Sequence, residues 1–193
     1  MWKDVLLLGT KLGTEEDIKQ RKGLSSEAWE KYYHILTNKS LPLSLRTSYF
    51  NTFINHIFLY NCGLWTLTAK LEHQIDVFQR NFLRRLLNIT YPKKISNSEL
   101  YKVTKQTPWS SVCRQRRLTL FGHTCCLPVG APARNTLIEA LKPIKHMVGG
   151  QHHTYLRSIK KDFGKVGKSL EEALQIAQHK QEFRALVRSV MSC

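Results

Sequence analysis

The strongest constraint on the fold is a helical stripe of apolar residues in the middle of the chain. Its members recur at spacings of four, three, four and four, at Leu71, Ile75, Phe78, Phe82 and Leu86. Side chains with this period lie on one face of an α-helix. The pattern predicts a helix that buries this face and turns Arg80 and Arg84 to the opposite side.

Capping patterns predict further helices on both sides of this one. Thr14 followed by Asp17 resembles a capping box and predicts a helix to about Asn38, with Gly23 and the Ser25-Ser26 pair as points where it can be interrupted. Ser25-Ser26 and Ser110-Ser111 are interpreted as helix caps because no nucleophile–base pattern surrounds them.

A second helix is predicted to start at Ser40 and Pro42 and to end near Cys62-Gly63. Arg46 is its only formal charge before Ala69, so this helix is expected at the centre of a bundle. The chain is thus predicted to be all-α.

The second half of the chain gives weaker patterns. Ser96 with Glu99 predicts a short helix to about Gln106, and a basic segment follows from Ser110 to Cys126. Ser169 with Glu172 predicts another helix. Its first apolar residues lie on one side of the helix and the later ones lie nearly opposite. A straight helix would then have two buried faces, so the pattern predicts a break between His179 and Gln181.

These elements predict three regions. Residues 1–126 form a helical bundle with an extended lead-in, and residues 127–150 form a proline- and glycine-rich linker. The linker holds at most one short helix, from Arg134 to Leu141. Residues 151–193 form a basic helical tail.

The charge of the chain predicts a polyanionic partner. The formal net charge is +16. Between Lys70 and Arg117 there are 11 basic and 3 acidic residues, a difference of +8, which is half of the total in a quarter of the length. Basic side chains clustered on a helical scaffold with aromatic residues between them are typical of nucleic-acid binding.

The remaining composition excludes other classes. The most hydrophobic window, residues 48–65, contains three asparagines and a histidine, so it predicts a buried helix and no membrane span. No secretory signal is visible at the start of the sequence. Five cysteines at irregular spacing predict no disulfide framework and favour an intracellular, nuclear or cytoplasmic location.

Guanidinium and ammonium groups suit phosphate oxygens, and losing such a contact weakens binding together with its salt dependence. We therefore expect Arg84→Ala and Arg117→Ala each to lower that dependence. The candidate nucleic-acid-binding residues are Arg80, Arg84, Arg85, Lys93, Lys94, Lys102, Lys105, Arg114, Arg116, Arg117 and His123.

Each candidate has an alternative. Any one arginine can belong to a solvated helix face, and Arg85, at the edge of the apolar stripe, can pack its stem and keep its head in water. Trp109 and Tyr101 can stack on bases or belong to the core.

A zinc site is a further alternative. Cys113, His123, Cys125 and Cys126, with His152 and His153, offer the right ligand types. No pair with C-x2-C spacing exists, so buried thiols are favoured, and no metal or cofactor is predicted.

Four stretches occur in a familiar order. They are residues 7–29 (LLGTKLGTEEDIKQRKGLSSEAW), 41–68 (LPLSLRTSYFNTFINHIFLYNCGLWTLT), 71–90 (LEHQIDVFQRNFLRRLLNIT) and 114–125 (RQRRLTLFGHTC). Together they resemble the region that follows the palm in reverse transcriptases of non-LTR (LINE-type) retrotransposons. In that family a helical thumb precedes a tyrosine and tryptophan pair, here Tyr60 and Trp65.

The resemblance continues through the arginine-rich helix to a basic helix ending in Gly122-His123. It is weaker in the tail. There the family often has a glycine-arginine-proline run followed by a tryptophan, whereas this chain has Gly149-Gly150-Gln151 followed by Tyr155.

The resemblance implies a thumb-like fold that holds RNA or an RNA–DNA duplex through backbone phosphates, independently of sequence. It implies no catalysis, since the family's metal-binding aspartates lie in the palm. The aspartates of this chain are dispersed, whereas nucleotidyl transfer needs clustered carboxylates that hold two metal ions. The alternative is a protein–protein interaction module. Apolar surface that a palm would cover in the family would then be exposed and could bind a second copy of the chain.

Overall fold

The computed structural model describes residues 6–141 and 154–192. The prediction of an all-α fold is confirmed. In the described part of the chain, strands are limited to a short antiparallel hairpin of β1 (Leu6–Leu7) and β2 (Thr10–Lys11). Gly9, at φ +76°, occupies the turn between them, a backbone conformation that favours glycine.

The chain forms two compact units. The first contains residues up to 62 and residues 67–112, and the second contains residues 63–66 and those from 113 onward. The predicted boundary at residue 126 is therefore wrong. The basic segment is one continuous helix, and its residues from Cys113 onward pack with the C-terminal helices in a single apolar core.

The helices of the first unit follow the predicted order. They are α1 (Thr14–Lys31), α2 (Tyr33–Leu36), α3 (Leu43–Tyr49), a π-helical segment (Phe50–Asn55), α4 (His56–Phe58), α5 (Ala69–Leu86), α6 (Asn97–Thr104) and the first turn of α7 (Trp109–Cys125).

The start of α1 differs from the prediction. Gly13, and not Thr14, is the N-cap residue, and the helix begins at Thr14. Asp17 is buried, accepts the Lys11 backbone N–H and pairs with Arg21, so it ties the helix to the hairpin. The helix also continues through Gly23 and Ser25, so the interpretation of Ser25-Ser26 as a cap is wrong.

Aromatic side chains form the core of the first unit. Trp29 stacks on Phe82 at 4.9 Å, and Phe58 stacks on Trp109 at 4.0 Å between ring centroids. The predicted apolar stripe of α5 packs on one side of this core. Its residues are buried as expected, except that Phe78 is half-buried. Arg46 is also buried and donates to the Leu86 carbonyl at 2.6 Å, which satisfies the C-terminal end of α5.

The second unit contains the rest of α7 and four further helices. These are α8 (Pro132–Leu141), α9 (Tyr155–Gly164), α10 (Leu170–Ile176) and α11 (Lys180–Ser192). Phe121, Phe163 and Phe183 pack at its centre with centroids 6.0–6.4 Å apart.

Two predictions for this region are confirmed. Ser169 caps α10 by accepting the Glu172 N–H. The helix is interrupted between the end of α10 at Ile176 and the start of α11 at Lys180. The short helix predicted from Arg134 to Leu141 corresponds to α8, but this part of the chain is not a linker, because Leu137 of α8 belongs to the core of the second unit. Residues 142–150 lie outside the described residues.

None of the described helices combines the length and the apolar character that a membrane span requires.

Candidate nucleic-acid interface

Two of the candidate arginines lie along the seam between α5 and α6. Arg84 donates to Asn97 Oδ1 at 2.7 Å, and Arg80 hydrogen-bonds Tyr101. Arg80 and Arg84 are four residues apart on α5. Their partners, Tyr101 and Asn97, are also four residues apart on α6, so the two hydrogen bonds lie about one helical turn from each other. Both arginines are half-buried. Their guanidinium groups are therefore held in place before any ligand binds.

Tyr101 belongs to a buried polar network. Its hydroxyl donates to Gln79 Oε1 at 3.3 Å, and the same oxygen accepts the Trp109 backbone N–H at 2.9 Å. Burial raises the pKa of Tyr101, and the hydrogen bond from Arg80 partly opposes this shift. The hydroxyl is thus a neutral structural group.

Trp109 is not available for stacking on a base. Its side chain is completely buried, and its indole Nε1 donates to Asn55 Oδ1 at 2.8 Å. The stacking hypothesis is therefore wrong for Trp109, and the core alternative is correct.

Four candidate lysines lie on the surface around α6. Lys93 and Lys94 precede the helix, Lys102 lies on it, and Lys105 ends it in the left-handed conformation at φ 51°. All four are exposed. The helix buries Leu100 and Thr104. Lys102, two residues from each, therefore lies on the opposite side.

An exposed aromatic residue that sequence reasoning missed lies beside these lysines. Tyr91 is 90% exposed and immediately precedes Pro92, Lys93 and Lys94. An aromatic ring of this kind can stack on a base. The signal in the sequence is the Tyr-Pro-Lys-Lys run between the helix with the apolar stripe and the helix capped by Ser96. We call Arg80, Arg84, Lys102, Lys105 and residues 91–94 the basic surface.

Arg85 has other partners. Its guanidinium forms an ion pair with Glu30 at 2.9 Å and lies over the Trp29 ring at 4.9 Å from the centroid. The structure therefore supports the packing alternative for Arg85, since these contacts hold it against α1.

Arg117 is not a surface residue, and its assignment to phosphate binding is a mistake. Its side chain is only 2% exposed and pairs with Asp162 at 2.5 Å. Arg114 also pairs with Asp162, at 3.2 Å, and is largely buried. Two guanidinium groups thus share one buried carboxylate inside the second unit.

The remaining candidates also belong to the second unit. Arg116 and His123 are both exposed on α7. The candidates between Arg80 and Lys105 thus belong to the first unit, where Arg80 and Arg84 bond to α6, and Arg114, Arg116, Arg117 and His123 belong to the other unit.

The cysteines of α7 do not meet as metal ligands. Cys113 and Cys125 are buried, and burial raises the pKa of Cys125 to about 11. Cys126 is exposed and donates through Sγ to the Ala177 carbonyl at 2.9 Å. Among residues 6–141 and 154–192, no three His, Cys, Asp or Glu side chains lie close enough to hold a metal ion. His152 and His153 lie outside this part.

No family model, no curated protein and no solved structure matches the chain. The likeness to LINE-type reverse transcriptases therefore stays a prediction.

Proposed function

We propose that this protein binds nucleic acid through the phosphate backbone, and that the basic surface on α5 and α6 makes the contacts. The observation that carries the proposal is the row of positioned charges. Arg80 and Arg84 are held by Tyr101 and Asn97, and exposed lysines flank them before, on and after α6.

Charge balance supports this proposal. From Arg80 to Lys105 the sequence contains seven basic residues and one acidic residue, Glu99. Arginine forks bond two phosphate oxygens at once, and lysines add point charges that adapt to the position of a flexible backbone. Contacts of this type position a duplex without reading its sequence.

The resemblance to the thumb of LINE-type reverse transcriptases favours RNA or an RNA–DNA duplex as the ligand. In this proposal the chain is a non-catalytic binding fragment, and a nuclear or cytoplasmic location fits such a ligand. The buried Asp17, Asp162 and half-buried Asp76 each bond to nearby residues of their own unit.

The direct test is the binding of a fluorescein-labelled RNA–DNA duplex at several salt concentrations. Each phosphate contact releases condensed counterions, so the logarithm of the affinity should fall linearly with the logarithm of the salt concentration. An affinity that does not change with salt, or no detectable binding, would refute the proposal.

A second candidate function is self-association through the first unit. α1, α4 and the following Tyr60 border a groove of about 530 Å3, whose apolar lining comes from Leu24, Ala28, Ile57 and Tyr60. Glu27 and Lys31 lie on its edge. Charges of both signs allow the same surface of a second copy to dock with opposite signs facing each other. Light scattering at high salt tests this, because dimers should then form with increasing concentration.

A further inference from the structure

A second groove lies between α7 and α11, entirely within the second unit. Its volume is about 490 Å3, and its floor is formed by apolar groups of Gly122, Ala177, Phe183 and Val187. The Phe183 ring lies against the backbone of α7, since a Cβ atom added to Gly122 would come within 2.2 Å of it. The missing side chain of Gly122 lets the two helices approach closely.

Basic residues border this groove. Lys180, Arg184 and Arg188 follow one another at intervals of four residues on α11, and His123 lies on α7. The row on α11 is about 12 Å long at a helical rise of 1.5 Å per residue. Among the described residues that line the groove there is no Asp or Glu.

We propose that this groove binds an acidic amphipathic helix of another protein. Apolar side chains of such a helix would cover the edges of Phe183 and Val187 that reach the groove. Carboxylates placed four residues apart would face Lys180, Arg184 and Arg188 at matching intervals. Amphipathic helices commonly bind grooves of this kind through their apolar face, and complementary charges fix their orientation.

The apolar floor distinguishes this groove from the basic surface of the first unit. Phe183 and Val187 are nearly buried in the core of the second unit, so only their edges reach the groove. A phosphate backbone is anionic throughout and makes no apolar contact with these edges. An acidic amphipathic helix covers the floor and the cationic border together. The proposal does not depend on the nucleic-acid function, because it concerns different residues.

The test uses a labelled 18-residue peptide designed as a helix with a leucine face flanked by glutamates. A scrambled peptide of the same composition keeps the charge but lacks the face. Fluorescence anisotropy with the full chain should show binding of the designed peptide at least tenfold tighter than the scrambled one. Arg184→Glu should weaken this binding at least tenfold.

Arg157→Glu is the matched control. Arg157 is an exposed residue of α9 that does not line the groove, and the substitution changes the net charge by the same amount. It should change the affinity less than twofold. Circular dichroism of both variants checks that they fold, and Lys180→Glu serves as the second groove variant should Arg184→Glu lose its helix signal.

Cys126 gives an independent measurement, since it lines the groove and is exposed. The designed peptide should slow the alkylation of Cys126, with the modified site identified by mass spectrometry. Equal binding of the scrambled peptide, equal effects of the groove and control variants, or unchanged alkylation would overturn the proposal. Displacement of the peptide by single-stranded RNA would also overturn it and would assign the groove to nucleic acid.

Discussion

The Asp76 side chain accepts two hydrogen bonds from Ser110, one from the backbone N–H at 2.9 Å and one from the hydroxyl at 2.6 Å. These bonds place a carboxylate of α5 at the first turn of α7, where it satisfies a free N–H and interacts favourably with the helix dipole. The capping group of α7 is therefore the Asp76 carboxylate, and Ser110 is the residue that it binds.

Removing this cap should destabilise the first unit. We expect Asp76→Ala to lower the free energy of unfolding by about 1–2 kcal/mol, the usual effect of losing a helix cap. Ser110→Ala keeps the backbone bond and should have a smaller effect. Urea unfolding of both single variants and of the double variant measures the coupling through the hydroxyl, and additive effects would show that the hydroxyl bond does not contribute to stability.

The buried cluster of Arg114, Arg117 and Asp162 should stabilise the second unit as a group. Asp162→Ala leaves two guanidinium groups without their carboxylate, and losing one partner of a buried pair typically costs about 3–5 kcal/mol. Arg117→Ala should cost less, because Asp162 keeps Arg114.

Arg116→Ala is the control for this cluster, since Arg116 is an exposed neighbour on the same helix. This substitution should cost clearly less than Asp162→Ala, because it removes an exposed side chain and leaves Asp162 with both of its guanidinium partners. Thermal or urea unfolding gives all three values. An Asp162→Ala protein as stable as the Arg116→Ala protein would refute the structural role of the cluster.

Tyr155 should make stability depend on alkaline pH. Its hydroxyl donates to the Arg117 carbonyl at 3.1 Å, and burial raises the pKa of Tyr155 from 10.0 to about 12. The unfolded chain therefore loses this proton more readily than the folded chain. The contribution to stability is complete below pH 10 and is lost as the pH rises towards 12.

Tyr155→Phe provides the comparison, because it cannot ionise. The difference in unfolding free energy between wild type and Tyr155→Phe should shrink from pH 9 to pH 11.5 in urea titrations. A difference that stays constant over this range would contradict the assignment.

Gly122 should not tolerate a larger side chain. Because a Cβ atom would come within 2.2 Å of the buried Phe183 ring, Gly122→Ala should destabilise the protein by about 1–3 kcal/mol, as overpacking does. In a Phe183→Leu background the same change should become neutral or stabilising, since alanine favours helices over glycine. Thermal unfolding of the four proteins decides this, and a loss that persists in the Leu background would exclude the clash as its cause.

Local patterns predicted the fold where the periodicity was regular. The stripe of α5, the Ser96 and Ser169 caps, and the break before α11 all followed from short-range spacing. The N-cap of α1 is Gly13 and not Thr14, and Asp17 bonds to the hairpin, a partner outside the helix that local spacing does not show.

The error at Arg117 has a physical reason. Cys113, Arg117, Phe121 and Cys125 recur every four residues and are all buried, so Arg117 occupies a core position of α7. Its carboxylate partner, Asp162, is 45 residues further along the chain, and only the tertiary structure brings them together. The four-residue spacing was visible in the sequence and would have favoured a buried arginine.

The most direct test of nucleic-acid binding compares two sets of three lysines. Lys94, Lys102 and Lys105 belong to the basic surface, whereas Lys160, Lys161 and Lys165 are exposed residues of the second unit. Each set is replaced by glutamine, and duplex binding is measured from low to moderate salt. The first set should reduce the magnitude of the salt slope by about 2–3, near 0.9 for each lost phosphate contact, and the second should leave it unchanged. Equal slopes for both variants would contradict the assignment of binding to α5 and α6.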